Sequence, residues 1–502
     1  MKPLRTILAL AAAMSFSAGF IPADEKAVNP QIRKIVDQVS EDRIKAIIEK
    51  LVSFGTRSTM SNQDDPVRGI GAARLWIFDQ FKSYSPRLQV RFDKYRVKKQ
   101  GQRIFKDVDL YNVIAVLPGA KMPETQVLVS GHYDSLNLGN RPAGGAAAGP
   151  GTDAPPVPIG ERPQPTLEES EKNAALPAPG ACDDGSGTAA VMELARVMSQ
   201  YVFDKTLVFV AFAGEEQGLI GSSLLAAKSH LEKQVIEAVL NNDIIGTDVS
   251  GNGRTGNTSV SVYSDETADS PSQQLARYTR EIAERYIPSM KVNTVFLGDR
   301  LGRGGDHTPF QWEGYGAVRL STPNEIYANQ HRVTDTLENM SVPYTARVAR
   351  VNAAVAASLA LAPRAPIVMR EPRAPAAAGA PTAAGTAPAV PAAPQTAAAP
   401  APPRRPSPTI SRGRSGYDAL LQWKPAGPDD NIKGYTIVIR ATTSPYWEQE
   451  IYVGKVTEYT LKDVSIDDAK FGVKAIGNDG GESLVSAYVY PPRLKTEILT
   501  VQ

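Results

Sequence analysis

The sequence predicts an α/β protein with a mixed, largely parallel central sheet flanked by helices, followed by a C-terminal all-β sandwich. Three observations carry this. Apolar runs of strand length alternate with helix-period stretches through residues 24–363, which is the pattern of an α/β domain. A tract of Ala and Pro with few large apolar side chains, 364–408, then breaks the pattern. From 409 to 502 the periodicity changes to short alternating runs punctuated by Gly, Asp, Asn and Pro.

In the α/β region the strand-like runs are Tyr111–Leu117, Gln126–Ser130, Thr206–Ala213, Ser259–Tyr263 and Ala317–Ser321. The helical patterns are Pro30–Ser53, Ser186–Tyr201, Gly218–His230, Ser272–Tyr286 and Tyr344–Leu361. In such sheets ligands bind beyond the carboxyl ends of the strands. Leu138–Pro179 interrupts the alternation with Gly, Ala and Pro and little periodicity, and is expected as a mobile insert or plain disorder. In the last region, the runs Ala419–Trp423, Tyr435–Arg440, Glu450–Val453, Glu458–Leu461 and Phe471–Ile476 predict the sandwich.

Length and composition bound the rest. With 502 residues, more than one domain is expected. A hydrophobic fraction of 42% and a charged fraction of 22% suit a soluble globular protein, and the formal net charge of +2 without a dense basic cluster argues against nucleic acid as a partner. Lys2 and Arg5, the short apolar run Ile7–Met14 and small residues up to Ala23 read as an export signal over 1–23, placing the protein in the periplasm or outside the cell. An uncleaved anchor is the alternative. No other stretch is long and apolar enough to span a bilayer, so the mature chain is expected to have no transmembrane span. The single cysteine, Cys182, leaves no internal disulfide and reads as a small buried side chain.

The chemistry sits at the predicted strand ends. His132 follows Gln126–Ser130, and Asp134, two residues on, faces the same side of an extended chain. Such an Asp can accept the second ring proton of a metal-ligating His; a capping His at a strand end is the bland reading. Asp183 and Asp184 lie among glycines just before a helix, fit either to approach a cation or to cap the helix. Glu215 and Glu216 stand at the mouth of a buried strand, where one can bind metal while the other handles a proton, or both can favour a helix start. Asp243 lies in an apolar stretch, and His331 precedes the last helix. His and carboxylate donors in this number suit zinc.

Taken in order, the stretches SGHYDS, APGACDDGSGTAAV, AFAGEEQGLIGS, NNDIIG, GGDHTPF and QHRVTDTLENM resemble the co-catalytic zinc exopeptidase family that includes bacterial double-zinc leucyl aminopeptidases. The resemblance implies two zinc ions per chain and peptide substrates. It implies that Asp183 bridges the ions, that His132 and Asp243 complete one shell, and that Glu216 and His331 complete the other. It implies Glu215 as general acid/base, Asp134 as the group orienting His132, and a cis peptide before Asp184. Three features depart from the family pattern: the long spacing from His132 to Asp183, Cys182 at a variable position, and Gln330 where many relatives carry a tyrosine that helps hold the transition state, with Tyr327 nearby. His307 matches the family without being a ligand there, and His230 reads as surface.

The function expected from this is a zinc aminopeptidase. A dipeptidase or carboxypeptidase on the same fold, a single-zinc glutaminyl cyclase and a non-catalytic binding protein are the alternatives. The final region, through Trp423, Tyr435, Leu461 and the run from Phe471 to Ala475, resembles a fibronectin type III module, with Ala469 where the usual tyrosine would stand. It carries no catalytic set, and its expected role is contact with a surface, a polymer or large substrates.

Overall fold

A computed structural model describes residues 28–139, 166–300, 303–369, 411–412 and 418–488. The expected signal lies outside them, as do 140–165 of the expected insert and 370–408 of the Ala/Pro tract.

Eight strands form one sheet: β1 (Gln89–Val97), β2 (Val108–Leu117), β3 (Met122–His132), β4 (Lys205–Phe212), β5 (Val235–Asn242), β6 (Ser259–Tyr263), β7 (Lys291–Val295) and β8 (Ala317–Ser321). Their order is β1-β2-β4-β3-β5-β8-β6-β7. The centre, β4-β3-β5-β8, is parallel, whereas β1, β2 and the β6–β8 pairing are antiparallel. The sheet is therefore mixed with a parallel heart, as the sequence predicts.

Side-chain alternation explains why the central strands read as unbroken apolar runs. Val113, Ala115, Val127, Val129, Phe209 and Leu240 face one core, while Ile114, Leu128, Val208, Val210 and Val239 face another. A sheet covered on both faces has no polar side. The larger core is closed by α1 (Pro30–Asp37), α2 (Glu41–Ser53), α3 (Gly69–Tyr84), α5 (Gly185–Met198), α7 (Pro271–Tyr286) and α9 (Val342–Leu361). The smaller is closed by α6 (Ile220–Leu231) and α8 (His307–Trp312).

Several elements differ from the sequence expectation for physical reasons. Pro30–Ser53 is two helices, because Ser40 leaves the helical conformation and caps α2 through the Arg43 N–H at 3.3 Å. β1 is an edge strand bonded only to β2 and alternates charge with half-buried residues, so it shows no apolar run. Within 138–179, the residues Leu167–Ala175 form α4, which is polar nearly all round and is held by a capping box between Thr166 and Glu169. The Thr-x-x-Glu spacing was the available signal.

The C-terminal part is two facing antiparallel sheets. One contains β9 (Ile367–Val368), β10 (Ser411–Arg412), β11 (Ala419–Lys424) and β14 (Glu458–Leu461). The other runs β13-β12-β15-β16, from β12 (Ile432–Ala441), β13 (Gln449–Gly454), β15 (Ala469–Gly477) and β16 (Ser486–Ala487). Trp423, Tyr435, Ile437, Phe471 and Val473 fill the space between them. This body docks on α7. Arg440 reaches both carboxylate oxygens of Asp269 at 2.8 Å, Arg277 meets the same group at 3.2 Å, and Trp447 donates to Gln274 at 3.1 Å.

Candidate metal centre

The sheet order decides which side chains can meet. β4, β3 and β5 are adjacent and parallel, so their carboxyl ends open on one place. His132 ends β3, Asp243 follows β5, and Glu215 and Glu216 follow β4 through Gly214. Gly214 has φ +76°, and a Cβ there would lie 2.5 Å from Leu110, so the turn that aims the two glutamates requires glycine. Asp183 stands immediately before α5, and His331 lies in the loop between β8 and α9.

Three buried groups fix these ends together. Asp184, joined to Asp183 by a cis peptide, accepts backbone N–H groups from Gly187 at 2.8 Å, His132 at 3.1 Å and Ile244 at 3.2 Å. Asp335 accepts the N–H groups of Cys182 at 2.8 Å and Asp183 at 3.0 Å. Arg57 donates to the carbonyls of Tyr133, Leu51, Pro179 and Gly180 at 2.6–3.0 Å. Ile244 and His331 hold positive φ values of 58° and 56°, a conformation that costs non-glycine residues about 1–3 kcal/mol and clusters at functional sites.

The side chains converge around Asp183. Its Oδ1 lies 3.2 Å from His132 Nε2, which is 4.0 Å from Asp243 Oδ1. Its Oδ2 lies 3.1 Å from His331 Nε2, which is also 3.1 Å from Glu216 Oε2. One carboxylate therefore faces two histidines with its two oxygens, each histidine accompanied by a further carboxylate. The donor set is imidazole nitrogen and carboxylate oxygen, the chemistry zinc takes. Donor atoms of His132, Glu215 and Asp243, and of His132, Asp183 and Glu216, lie within 4.8 Å of one another. Glu216 Oε1 is buried without a hydrogen-bond partner among the described residues, which a cation would supply. The residues present fit a metal.

Asp134 differs from expectation by one atom. Its backbone carbonyl, not its carboxylate, meets His132 Nδ1 at 3.0 Å; the carboxylate is 3.7 Å away. The carboxylate instead accepts the N–H groups of Glu215 and Glu216 at 3.3 Å each and the Thr59 hydroxyl at 3.1 Å. It thus orients the glutamate pair as well as the histidine.

The electrostatics follow from crowding acids in a dry place. Burial pushes Asp134 up to about 6, and Asp306 up to about 7, with neighbouring carboxylates adding to both. Burial, with Glu216 and Asp243, raises Glu215 well above the ordinary carboxylate range. Asp183 goes the other way: burial opposes its charge, but His132 and His331 hold it well below. Burial likewise opposes charge on the two histidines, yet the surrounding acids win and raise both.

The other predicted residues find plain places. Cys182 is buried, and burial raises its thiol well above the usual range. His307 is buried, with Nε2 at 2.6 Å from the Gly298 carbonyl. His230 lies on the surface, 3.4 Å from Glu313. Gln330 donates to Asp183 Oδ2 at 3.2 Å, while Tyr327 is 45% exposed. Sequence reasoning did not find Arg57, Asp335 or Arg319. Arg319, inside β8, is fully buried and touches Asp243 at 3.0 Å and Asp299 at 2.6 Å; an arginine in an otherwise apolar strand was its signal.

The fold and site define a protein with a metal centre at the parallel strand ends of a mixed α/β sheet, and comparison with known proteins shows the class to be zinc metallopeptidase. The model of peptidase family M28 matches residues 112–356. A "Probable zinc metalloprotease" of Pyricularia oryzae is 34% identical, with the match covering 90% of this chain and 83% of that protein. Another of that name from Pyrenophora tritici-repentis is 32% identical over 90% of this chain and 96% of that protein. The chain belongs to peptidase family M28 and is a metallopeptidase. Among solved structures, the Legionella pneumophila LapA aminopeptidase is 18% identical, with a TM-score of 0.47 covering 66% of this chain and 74% of that one.

Proposed function

We propose that the protein is a zinc exopeptidase that removes N-terminal residues from peptides, with two zinc ions held by His132, Asp183, Glu216, Asp243 and His331. The observation that carries this is the position of Asp183, whose Oδ1 faces His132 and whose Oδ2 faces His331. His132 and Asp243 would hold one ion, Glu216 and His331 the other, and Asp183 both. When bound, the pair supplies Lewis acidity and a water of lowered pKa.

The chain's own residues do the rest. Glu215, outside the ligand set and half-buried, holds the proton taken from the attacking water at its carboxylate and returns it to the leaving amine. Asp134 holds the Glu215 and Glu216 backbone in place through their N–H groups. Asp184 and Asp335 fix the loop bearing Asp183 against β3, β5 and the His331 loop.

Zinc content by mass spectrometry, measured beside hydrolysis of matched N-terminally free and blocked peptides, tests the reading. Bound zinc with cleavage of free peptides only is the expected result, and equal cleavage of blocked peptides would overturn the aminopeptidase assignment. The reading includes an export signal over 1–23, a spacer within 364–408 and a C-terminal module of fibronectin type III kind. Among the described residues, no helix is long and apolar enough to cross a membrane.

A further inference from the structure

The arginines around the centre are not equivalent. Arg319 is shared between Asp243 and Asp299, and Arg300 pairs with Glu325 at 2.6 Å. Arg57 is spent on four carbonyls. Arg303 is different. It is half-buried, and its Nη1 donates to Gln330 Oε1 at 3.1 Å; among the described residues no carboxylate lies within ion-pair distance of it, and the nearby Glu325, whose charge it helps to stabilise, is already paired with Arg300. Gln330, only 4% exposed, spends its Nε2 on Asp183 Oδ2. A cation is thus held one amide away from the carboxylate at the middle of the centre, with guanidinium donors to spare.

We infer that Arg303 binds the free α-carboxylate of a short peptide, so that the preferred substrates are dipeptides and other peptides ending within a residue or two of the scissile bond. This deepens the exopeptidase reading and rests on it. Two physical points favour it. Once divalent ions sit among Asp183, Glu216 and Asp243, those carboxylates no longer demand Arg303 as a counter-ion. A guanidinium is the side chain suited to a planar carboxylate, by two parallel hydrogen bonds. Gln330, at the position where a tyrosine was expected, then serves to aim Arg303.

The test compares kcat/KM for a dipeptide with a free C-terminus and for its C-terminal amide, using zinc-loaded full-length wild type, Arg303→Ala, Arg303→Lys and Arg103→Ala. Arg103 is the control, because among the described residues its side chain reaches only the Glu216 carbonyl, at 3.4 Å, from an exposed position. Wild type should prefer the free carboxylate by on the order of 10- to 100-fold, chiefly through KM, the range of a hydrogen bond to a charged group. Arg303→Ala should bring that ratio near one, and Arg303→Lys should keep part of it. Wild type that cleaves both equally, or a ratio that survives Arg303→Ala, overturns the inference while leaving the exopeptidase reading intact. So does a ratio lost in Arg103→Ala instead. Should Arg303→Ala misfold, the wild-type ratio and the Arg303→Lys value still decide. Wild type without zinc or hydrolysis sinks the underlying reading instead.

Discussion

Arg440 of the C-terminal sandwich grips Asp269 beside the start of α7, and Arg277 of α7 shares the same carboxylate. All three side chains are buried, at 6–7% exposure. Around them Arg277 donates to the Pro445 carbonyl at 2.6 Å, Tyr446 meets Thr294 at 2.7 Å, and the Arg280 guanidinium lies 3.8 Å over the Tyr446 ring. The sequence reading of a module without a catalytic set, expected to contact a surface, a polymer or large substrates, does not anticipate this contact.

The stability consequence is direct. Asp269→Asn leaves two buried guanidinium groups without their counter-ion, and breaking one partner of a buried ionic cluster costs about 3–5 kcal/mol. Calorimetry should show a clearly lowered Tm for this variant, and deletion of 364–502 should destabilise the remaining chain by removing Arg440 from Asp269 and uncovering the face of α7 that meets Pro445 and Trp447. An unchanged Tm in Asp269→Asn would show that the contact contributes nothing.

Glu215 and Glu216 are neighbours with different expected failures. Glu215→Gln should keep zinc near the wild-type content while turnover falls by roughly 10²–10⁴, the usual contribution of a general acid/base. Glu216→Gln should lower metal content, since Glu216 Oε2 sits 3.1 Å from His331 Nε2. Paired zinc analysis and kinetics separate the two. Zinc lost from Glu215→Gln but kept by Glu216→Gln would exchange their roles.

Metal removal should be felt in folding as well as in rate. A ligand that binds only the folded state stabilises it by about 2.7 kcal/mol at a hundredfold excess over its Kd. Here the proposed ligand set joins the ends of β3 and β5, the turn after β4, the segment before α5 and the His331 loop, so loss of zinc should lower Tm and abolish peptide hydrolysis together. Zinc should restore both. Full activity after exhaustive chelation would contradict the assignment.

Much of this centre was legible because its residues sit at the ends of strands the sequence makes obvious. β6 and β8 fall where the apolar runs place them, at Ser259–Tyr263 and Ala317–Ser321. The strands missed in this sheet are β1, β5 and β7: β1 and β7 are sheet edges whose exposed charged and polar side chains hide the period, while β5 is a central strand whose apolar run is interrupted by Glu237 and ends on Asn241 and Asn242. The groups missed near the centre bond to backbone. Asp335 and Arg57 serve N–H and carbonyl groups contributed by other segments, and no local pattern reports a partner 152 or 123 positions away. Docking of the sandwich was invisible for the same reason, since Arg440 and Asp269 are 171 positions apart.

Arg319 supplies the last expected outcome. Its guanidinium is wholly buried in β8, with Nη2 on Asp243 Oδ1 at 3.0 Å and Nη1 on Asp299 Oδ2 at 2.6 Å. Burial opposes its charge, but Asp243 and Asp299 raise its pKa, so it stays a cation. That cation lies on Asp243 Oδ1, the oxygen 4.0 Å from His132 Nε2, and draws electron density from the carboxylate proposed as a ligand. Arg319→Lys keeps the charge but replaces a planar fork by a single ammonium, which cannot reach both acids in the same geometry. The metal held by His132 and Asp243 should then leave at lower chelator concentration than the one held by Glu216 and His331, giving a two-step zinc release where wild type gives a narrower one. Arg319→Met should be worse, taking the buried cation from Asp243 and leaving Asp299 with Arg300 alone, at a cost of about 3–5 kcal/mol. Chelator titration followed by zinc-sensitive fluorescence reads the first effect and thermal unfolding the second. If Arg319→Lys releases both ions together at the wild-type concentration, Asp243 needs no help from Arg319, and the pair is only part of the core.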